Sequence, residues 1–331
     1  MTKRAFVLFV SCMLLLFLLA GCTAVNRPKE DKIRIVCTIF PQYDWVRQIL
    51  GDRLDEVELT LLLSNRIDLH NYQPSVDDIV TISTCDLFVY VGGESDRWVD
   101  NVLKDAVNKD ILVISLLDLL GESAKIEEIV DGMEDEGDEE GFDEGDAYDD
   151  DGEEYDEHVW LSLHNAMLFC RAIDEALSTI DPNHAKEYHQ RLASYLDALL
   201  ALDAQYQTVL DTVPVRTLLF GDRFPFRYLV DDYGLDYFAA FPGCSAETEA
   251  SFNTIIFLSE KMDELSLPCV MVTESADQSI AKTIIQNTSA KNESIFVLDS
   301  MQSIASEDLQ NGVTYLSIME SNLNVLKEAL Q

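Results

Sequence analysis

The chain contains few basic residues for its length. Its 331 residues include 23 Lys and Arg against 61 Asp and Glu, which gives a formal net charge of −38 at pH 7. A nucleic-acid-binding protein needs a basic surface to neutralise phosphates, so this balance excludes that class. The field of such a protein attracts cationic partners instead.

Paired cysteines and two common hydrolase motifs are also missing. The sequence contains no CxxC pair, no HExxH and no GxSxG. Five scattered cysteines follow residue 22, mostly in apolar patterns: Cys37, Cys85, Cys170, Cys244 and Cys269. We interpret them as small buried side chains and not as a disulfide framework. Cys244 comes after a predicted strand and stays open as an alternative metal ligand, which would favour zinc.

The N-terminus has the parts of a signal peptide. Met1–Arg4 is basic, Ala5–Leu19 is an apolar run of roughly 15 residues that is short for a membrane span, and small residues precede Cys22. The LAGC ending resembles the lipobox of bacterial lipoproteins. We expect residues 1–21 to be removed, Cys22 to be lipidated and residues 22–31 to be a tether. A plain signal peptide or an uncleaved anchor is the alternative.

From Lys32 onward, strand and helix patterns alternate, which predicts parallel βαβ units. Two groups of four strands are separated by residues 181–212, whose apolar residues recur every three or four positions after Asp181-Pro182. That pattern predicts one long amphipathic helix with Asp181 as its N-cap, although a coiled-coil dimer seam would look similar. The predicted fold is α/β, with two four-stranded lobes (residues 32–180 and 214–331) joined by a helix (residues 181–213).

One stretch of the first lobe is strongly acidic. Residues 131–157 contain 17 Asp or Glu among 27 residues and no Lys or Arg. It cannot bury enough apolar surface to fold alone, so we expect a solvated loop that collects cations for His158. A passive surface insertion is the alternative.

The candidate ligands follow predicted strand ends or this loop, because ligands of open parallel sheets bind beyond the carboxyl ends of the strands. They are His70, His158, Asp222 and Asp299, with Glu274 as a further candidate. Two imidazoles and two carboxylates suit zinc or manganese, whereas calcium and magnesium prefer oxygen ligands alone. The sequence therefore predicts a divalent transition-metal site in the cleft between the lobes.

Several motifs resemble the zinc- and manganese-specific solute-binding lipoproteins of bacterial ABC importers. In the first lobe, the similar segments are HNYQPSVDDI after the second strand, GGESDRWVDNVL and EHVWLSLHNA. In the second lobe, they are RYLVDDYGL, VTESADQS and VLDS. The resemblance covers nearly all of residues 32–331. It implies two α/β lobes joined by a long helix, with the metal held between them.

The resemblance also implies ligands, with one departure. His70, His158 and Asp299 match ligand positions of the family, but the position of its third ligand is Arg223. A guanidinium cannot ligate a cation. We expect Asp222 to take this role through a one-residue shift, and a site with only three protein ligands is the alternative.

The expected function is therefore that of a receptor and not of an enzyme. It would be anchored outside the cell membrane, capture Zn²⁺ (or Mn²⁺) and deliver it, as a monomer, to an ABC permease and its ATPase subunit. A metal-dependent hydrolase or an adhesin on the same scaffold are the other classes in view. We expect metal affinity to fall as the pH falls through about 6.5, because both imidazoles must be neutral to ligate.

Overall fold

The first sheet is built from four short apolar runs. The structure, a computed structural model, describes residues 32–64, 66–134, 154–245 and 249–331. The strands are β1 (Ile33–Cys37), β2 (Val57–Leu61), β3 (Leu87–Tyr90) and β4 (Leu112–Ser115). All pair in parallel in the order β2-β1-β3-β4. Their carboxyl ends therefore share one edge, which is where the candidate ligands of this lobe were expected.

The second sheet repeats this plan. Its strands are β5 (Thr217–Phe224), β6 (Asp236–Pro242), β7 (Cys269–Thr273) and β8 (Ser294–Leu298). They are also parallel, in the order β6-β5-β7-β8, with an irregular register between Phe220 and Arg223. The prediction of two four-stranded parallel lobes is confirmed.

Helices connect and cover the strands. In the first lobe they are α1 (Phe40–Leu50), α2 (Val76–Thr84), α3 (Val99–Lys104), α4 (Leu116–Leu120) and α5 (Leu163–Ile180). The connecting helix is α6 (Ala185–Leu210), and α7 (Arg227–Tyr233), α8 (Phe252–Leu265), α9 (Ser279–Asn287), α10 (Ser306–Gln310) and α11 (Tyr315–Ala329) follow. The long helix that the apolar periodicity predicted is present, with one face buried.

Some predicted boundaries were wrong. The connecting helix begins at Ala185 with His184 at its N-cap, and Asp181 instead ends α5. The Asp181 carboxylate accepts hydrogen bonds from His184 Nδ1 at 2.8 Å and from the Tyr188 hydroxyl at 2.8 Å, so it serves the turn between two helices. Strand β5 runs to Phe224, which places Asp222 inside the strand and not beyond its end.

The C-terminal helix ties the second lobe to the first. The Tyr315 N–H donates to Asp44 Oδ2 of α1 at 2.9 Å, and the Tyr315 hydroxyl donates to Trp160 O at 2.8 Å. Trp160 Nε1 in turn donates to Ser300 O at 2.9 Å. Residues of both sheets and of α5, α6 and α11 consequently share one apolar core.

A segment that leaves the first lobe lies along the edge strand β6 of the second. This strap, residues 126–134, brings its Glu134 N–H to Ala240 O at 3.1 Å. Glu128 Oε2 accepts from the Tyr237 hydroxyl at 3.1 Å and from Arg227 Nη1 at 2.8 Å. The strap gives the two lobes a further connection besides α6 and the contacts of α11.

The acidic stretch enters and leaves through ordered residues. Tyr155 pairs with Ile126 in an antiparallel bridge, and Asp156 and Glu157 are buried. A solvated loop was therefore the wrong prediction for Asp156 and Glu157, because both side chains are buried and each carboxylate accepts one backbone N–H, from His158 and from Ser95 respectively. The acidic residues 135–153 lie outside the described part of the chain.

The predicted signal peptide, lipidated Cys22 and tether also lie outside the described residues, and the proposed domain limits stay predictions. Within residues 32–64, 66–134, 154–245 and 249–331, no helix combines the length and apolar character needed to cross a membrane. Four of the five cysteines there are buried, as predicted, Cys244 is partly exposed, and all five are free thiols.

Candidate metal centre

His70 lies in a short 3₁₀ turn, Leu69–Asn71, that follows β2. Asp68 caps this turn, since its Oδ1 accepts the His70 N–H at 3.0 Å. The other carboxylate oxygen of Asp68 lies 2.7 Å from Arg223 Nη2 of the second lobe. Burial opposes the ionisation of Asp68, but Arg223 and His70 outweigh it and lower the pKa of that carboxyl. The backbone of His70 is thus held by an anion that the other lobe neutralises.

His158 is fully buried just before the 3₁₀ turn Val159–Leu161 and α5. Asp156 Oδ1 accepts from both the His158 N–H at 2.8 Å and from Nδ1 at 3.0 Å. The imidazole also packs against Trp160, with ring centroids 5.2 Å apart, and against Gly243, where an added Cβ would lie 3.0 Å from Cε1. These contacts fix the ring and turn its Nε2 towards His70.

The two imidazoles face each other through their Nε2 atoms, which lie 3.2 Å apart. Two nitrogens bound to one tetrahedral zinc at about 2.05 Å would be separated by about 3.3 Å. The observed separation therefore already matches two adjacent corners of a zinc coordination tetrahedron.

A hydrogen-bonded network also fixes the orientation of the His70 ring. Its Nδ1 lies 2.9 Å from Ser95 Oγ and 3.5 Å from Glu157 Oε2, while the Ser95 N–H donates to Glu157 Oε1 at 2.8 Å. A Cβ at Gly93 would lie 2.4 Å from Glu157 Oε1, so glycine is required there for the carboxylate to fit. With Nδ1 held by these oxygens, the Nε2 lone pair points to the partner ring, as is usual for metal-binding histidines.

The electrostatics of the site favour a neutral His70. Burial, and then the neighbouring His158, lower the pKa of His70 to about 3. Burial also raises the pKa of the Glu157 carboxyl above its ordinary value. Neutral His70 is the form that ligates a metal, so the site is prepared for a cation before one arrives.

Cys244 completes a three-residue group. It lies in the turn that follows β6, and its N–H donates to Glu127 Oε1 of the strap at 2.9 Å. The ligand atoms of His70, His158 and Cys244 all lie within 4.8 Å of one another. Burial, followed by the charges of Asp156 and Glu127, raises the pKa of the Cys244 thiol well above its ordinary value. Two residues of the first lobe thus meet one of the second.

Asp222 does not belong to this group. Its Oδ2 accepts from the Thr273 N–H at 3.0 Å and from the Thr273 hydroxyl, so it joins β5 to β7. It lines a separate recess of about 300 Å³ together with Arg223. Arg223 instead donates to Asp68 and to Ser245 O at 3.3 Å. Ligation by Asp222 stays a prediction.

Asp299 and Glu274 lie beyond the ends of β8 and β7, as predicted, but also apart from the three-residue group. Asp299 Oδ1 accepts the Met301 N–H at 2.7 Å. Burial and the neighbouring Glu274 raise the pKa of Asp299 to about 7. Glu274 accepts the Ser300 N–H at 2.8 Å and the Gln302 N–H at 3.2 Å, so it organises the loop after β8. Ligation by Asp299 also stays a prediction.

The remaining described histidines lie at the surface. The side chains of His164, His184 and His189 are 53%, 31% and 57% exposed, and each pairs with an aspartate. They are too exposed and too well paired to add to the buried site.

The approach to the three-residue group is an open cleft of about 940 Å³, lined by polar and aromatic residues that include His70, Ser95, Glu157 and Cys244. Sequence reasoning missed the supporting roles of Asp156, Glu157 and Ser95. The spacing Asp156-Glu157-His158 was a usable signal, because an acidic residue two positions before a histidine can accept its Nδ1–H.

Comparison with known proteins identifies relatives along the whole described chain. The sequence profile of the family described as "ZnuA: Zinc-uptake complex component A periplasmic" matches residues 35–329. The zinc-binding lipoprotein AdcA of Streptococcus pneumoniae is 30% identical over 323 residues, which cover 97% of this chain and 60% of AdcA. The chain therefore spans about 60% of the length of that relative. The high-affinity zinc uptake system protein ZnuA of Bacillus subtilis is 27% identical over 302 residues, covering 91% and 89%.

Solved structures agree with this relationship. The crystal structure of the Zn(II)-bound ZnuA-like domain of S. pneumoniae AdcA superposes with a TM-score of 0.69 at 26% identity, and the match covers 91% of this chain and 99% of that domain. The family profile covers far more than half of the chain, and the two-lobed fold is the same. The chain belongs to the ZnuA family.

Proposed function

We propose that this protein is the extracytoplasmic receptor of an ABC importer, and that it captures Zn²⁺ between its lobes and delivers the ion to the permease. The permease and its ATPase subunit are the proposed partners, and the lipidated Cys22 is the proposed anchor on the outer face of the membrane. The receptor would act as a monomer and without catalysis.

The observation that carries this proposal is the pair of imidazole nitrogens. His70 Nε2 and His158 Nε2 lie 3.2 Å apart, and both Nδ1 atoms are held by oxygen atoms of Ser95 and Asp156. This arrangement supports direct coordination of one ion, because a tetrahedral zinc needs nearly the same spacing. The zinc-binding names of the relatives support the same cargo.

Manganese is the second candidate cargo. Asp222 and Asp299 would supply the oxygen ligands that Mn²⁺ prefers if they joined the histidines. Neither carboxylate belongs to the group whose ligand atoms lie within 4.8 Å. The arrangement therefore favours zinc.

The test is a pair of binding titrations with zinc and manganese on purified protein, against chelators of known affinity. We expect one tight Zn²⁺ per chain and weaker Mn²⁺ binding. Delivery is tested in bacteria that lack their own zinc receptor, where the wild-type chain should restore growth at low zinc and His70→Ala should not. Tight manganese binding with weak zinc binding would reverse the assignment of the cargo.

A metal-dependent hydrolase remains the competing class. Screening the zinc-loaded protein against esters and peptides should give no turnover above the free ion. Reproducible turnover that disappears in His70→Ala would replace the receptor proposal.

A further inference from the structure

We propose that Cys244 is the third protein ligand of this site, bound as a thiolate, and that its sulfur makes the site selective for Zn²⁺ over Mn²⁺. The inference rests on the proposed function, since it concerns the same ion. It replaces the carboxylate that the sequence predicted at this corner with a soft sulfur ligand.

The spacing of the three ligand atoms fits one zinc ion. Zinc bonds of about 2.05 Å to nitrogen and 2.3 Å to sulfur place the two atoms about 3.6 Å apart at tetrahedral corners. The ligand atoms of Cys244, His70 and His158 lie within 4.8 Å of one another. Each atom therefore needs to move by about 1 Å or less to reach a common ion, which side-chain rotation alone can supply.

The turn carrying Cys244 is held in place on both sides. Before it, Gly243 lies so close to His158 that a Cβ would approach the ring at 3.0 Å. At Cys244 itself, the N–H donates to Glu127 Oε1 at 2.9 Å. After it, Ser245 O accepts from Arg223 Nη1 at 3.3 Å. Contacts to three elements fix the backbone of Cys244 beside the imidazoles.

The other candidate ligands of the second lobe have different partners. The Asp222 carboxylate is committed to Thr273, and Asp299 and Glu274 accept backbone N–H groups of the loop after β8. Arg223 is bound to Asp68 and Ser245. Among the residues that the structure describes, Cys244 is the second-lobe side chain whose ligand atom joins the two histidines.

The chemistry gives the selectivity. Imidazole suits zinc, a thiolate is a soft ligand that favours zinc further, and manganese prefers oxygen ligands. On binding, the sulfur–metal bond replaces the S–H bond of Cys244, and the proton leaves to solvent through the cleft. Two neutral imidazoles and one thiolate leave a bound Zn²⁺ with a net charge of +1 and one open coordination position.

The experiment uses Co²⁺ as a spectroscopic substitute for Zn²⁺ in the full chain. A cobalt–thiolate bond produces a strong near-ultraviolet charge-transfer band, which nitrogen and oxygen ligands do not. We expect this band in the wild type and in the control Cys269→Ala, whose cysteine begins β7 at the far end of that strand. In Cys244→Ala the band should be absent, zinc affinity should fall by more than roughly a hundredfold, and the preference for Zn²⁺ over Mn²⁺ should shrink.

The outcomes separate this inference from the proposed function. If the wild type binds cobalt and zinc tightly without a charge-transfer band, Cys244 is not a ligand, although the receptor function survives. A band that persists in Cys244→Ala also overturns the inference. If the wild type binds no metal tightly, the proposed function itself fails.

A second measurement covers the case in which Cys244→Ala does not fold. Alkylation of the native wild type with and without Zn²⁺, followed by mass spectrometry of its peptides, reports on Cys244 directly. We expect zinc to slow the modification of Cys244 at least roughly tenfold, since a coordinated thiolate is shielded. Equal rates would overturn the inference.

Discussion

Arg223 of the second lobe reaches across the cleft to Asp68 of the first, with Nη2 2.7 Å from Oδ2. Both side chains are mostly buried, at 15% and 17% exposure. Asp68 also accepts the His70 N–H, so this ion pair links the position of one ligand to the closeness of the lobes. Arg223 cannot ligate a metal itself, but through Asp68 it helps to hold the backbone of His70 in place.

Arg223→Ala should therefore destabilise the protein and speed the loss of zinc. Removing one partner of a mostly buried ion pair leaves Asp68 uncompensated, at a cost of about 1 to 3 kcal/mol in the free energy of unfolding. Urea denaturation at pH 7 and the rate of zinc transfer to a chelator measure the two effects. The control is Arg97→Ala, whose arginine is 67% exposed and pairs only with Glu94 in the contacts of the described chain. Similar behaviour of both variants would argue against the link.

The two histidine variants should both lose tight zinc binding but differ in stability. His70→Ala removes a side chain at the edge of the cleft, whereas His158→Ala opens a void beside Trp160 and Gly243. Because His158 is fully buried, His158→Ala should lower the free energy of unfolding by about 2 to 4 kcal/mol, and His70→Ala should lower it by less. The control is His189→Ala on the surface of α6. Zinc titration and urea denaturation of the metal-free proteins provide the measurements.

Stability should depend on pH through His70. Its pKa is about 3 in the folded protein and near 6.5 in the unfolded chain, so below pH 6.5 the unfolded chain binds the extra proton. The contribution of His70 to the free energy of unfolding is therefore lost as the pH falls from about 6.5 towards 3, at up to about 1.4 kcal/mol per pH unit. Asp299 acts in the opposite direction, since its raised folded pKa of about 7 adds stability as the pH falls from 7 towards 4.

A comparison of the wild type with a His70 variant isolates the contribution of this histidine to the pH dependence of stability. Wild type and His70→Gln, whose amide does not titrate, share every other group. As the pH falls from 6.5 to 4.5 in metal-free buffer, the wild type should lose more unfolding free energy than His70→Gln. A difference that stays constant over that range would show that His70 titrates normally.

Zinc affinity should show a different pH dependence from the one the sequence indicates. The lowered pKa of His70 removes its proton from competition near pH 6.5, while the raised pKa of the Cys244 thiol keeps that proton in place until metal binds. Affinity should then fall about tenfold per pH unit from pH 8 to 6. Calorimetry in buffers of different ionisation enthalpy should show one proton more released by the wild type than by Cys244→Ala.

The acidic stretch should affect capture and not the tight site. Residues 135–153 contain 12 Asp and Glu. Changing all 12 to Asn or Gln keeps the length of the chain and leaves Glu127, Glu134 and Glu154 in place. We expect unchanged tight affinity, loss of weak additional zinc sites and a slower capture rate with less salt dependence. Stopped-flow measurements at several salt concentrations test the rate.

Two other results would change this interpretation. If the amide variant loses the tight site, carboxylates of residues 135–153 are ligands. If the capture rate, its salt dependence and the stoichiometry all stay the same, the stretch is a passive insertion.

The sequence predicted the two sheets well, because parallel strands buried on both faces appear as apolar runs that tertiary contacts rarely override. The histidines were also predictable, since both follow local signals that place them at one edge of the first sheet. Asp222 was harder to place. Nothing local shows that β5 continues to Phe224, or that Thr273 of another strand supplies two donors for its carboxylate.

Cys244 also shows the limit of prediction from the sequence. In the sequence it is one of five scattered thiols, and most of them are buried. The sequence marks it only as an alternative ligand after a predicted strand. Its position beside the imidazoles depends on the hydrogen bond to Glu127 and on the packing of the neighbouring Gly243 against His158, and both partners are distant in sequence.

The strap along β6 affects how the two lobes can move relative to each other. Chain that leaves the first lobe is attached to the second, so the strap adds to α6 and to the contacts of α11 and Arg223 in holding the lobes together. Glu127 of the strap also accepts the N–H of Cys244. A movement that parts the lobes and displaces the strap would therefore also disturb the turn that carries Cys244, which couples the proposed metal ligand to the separation of the lobes.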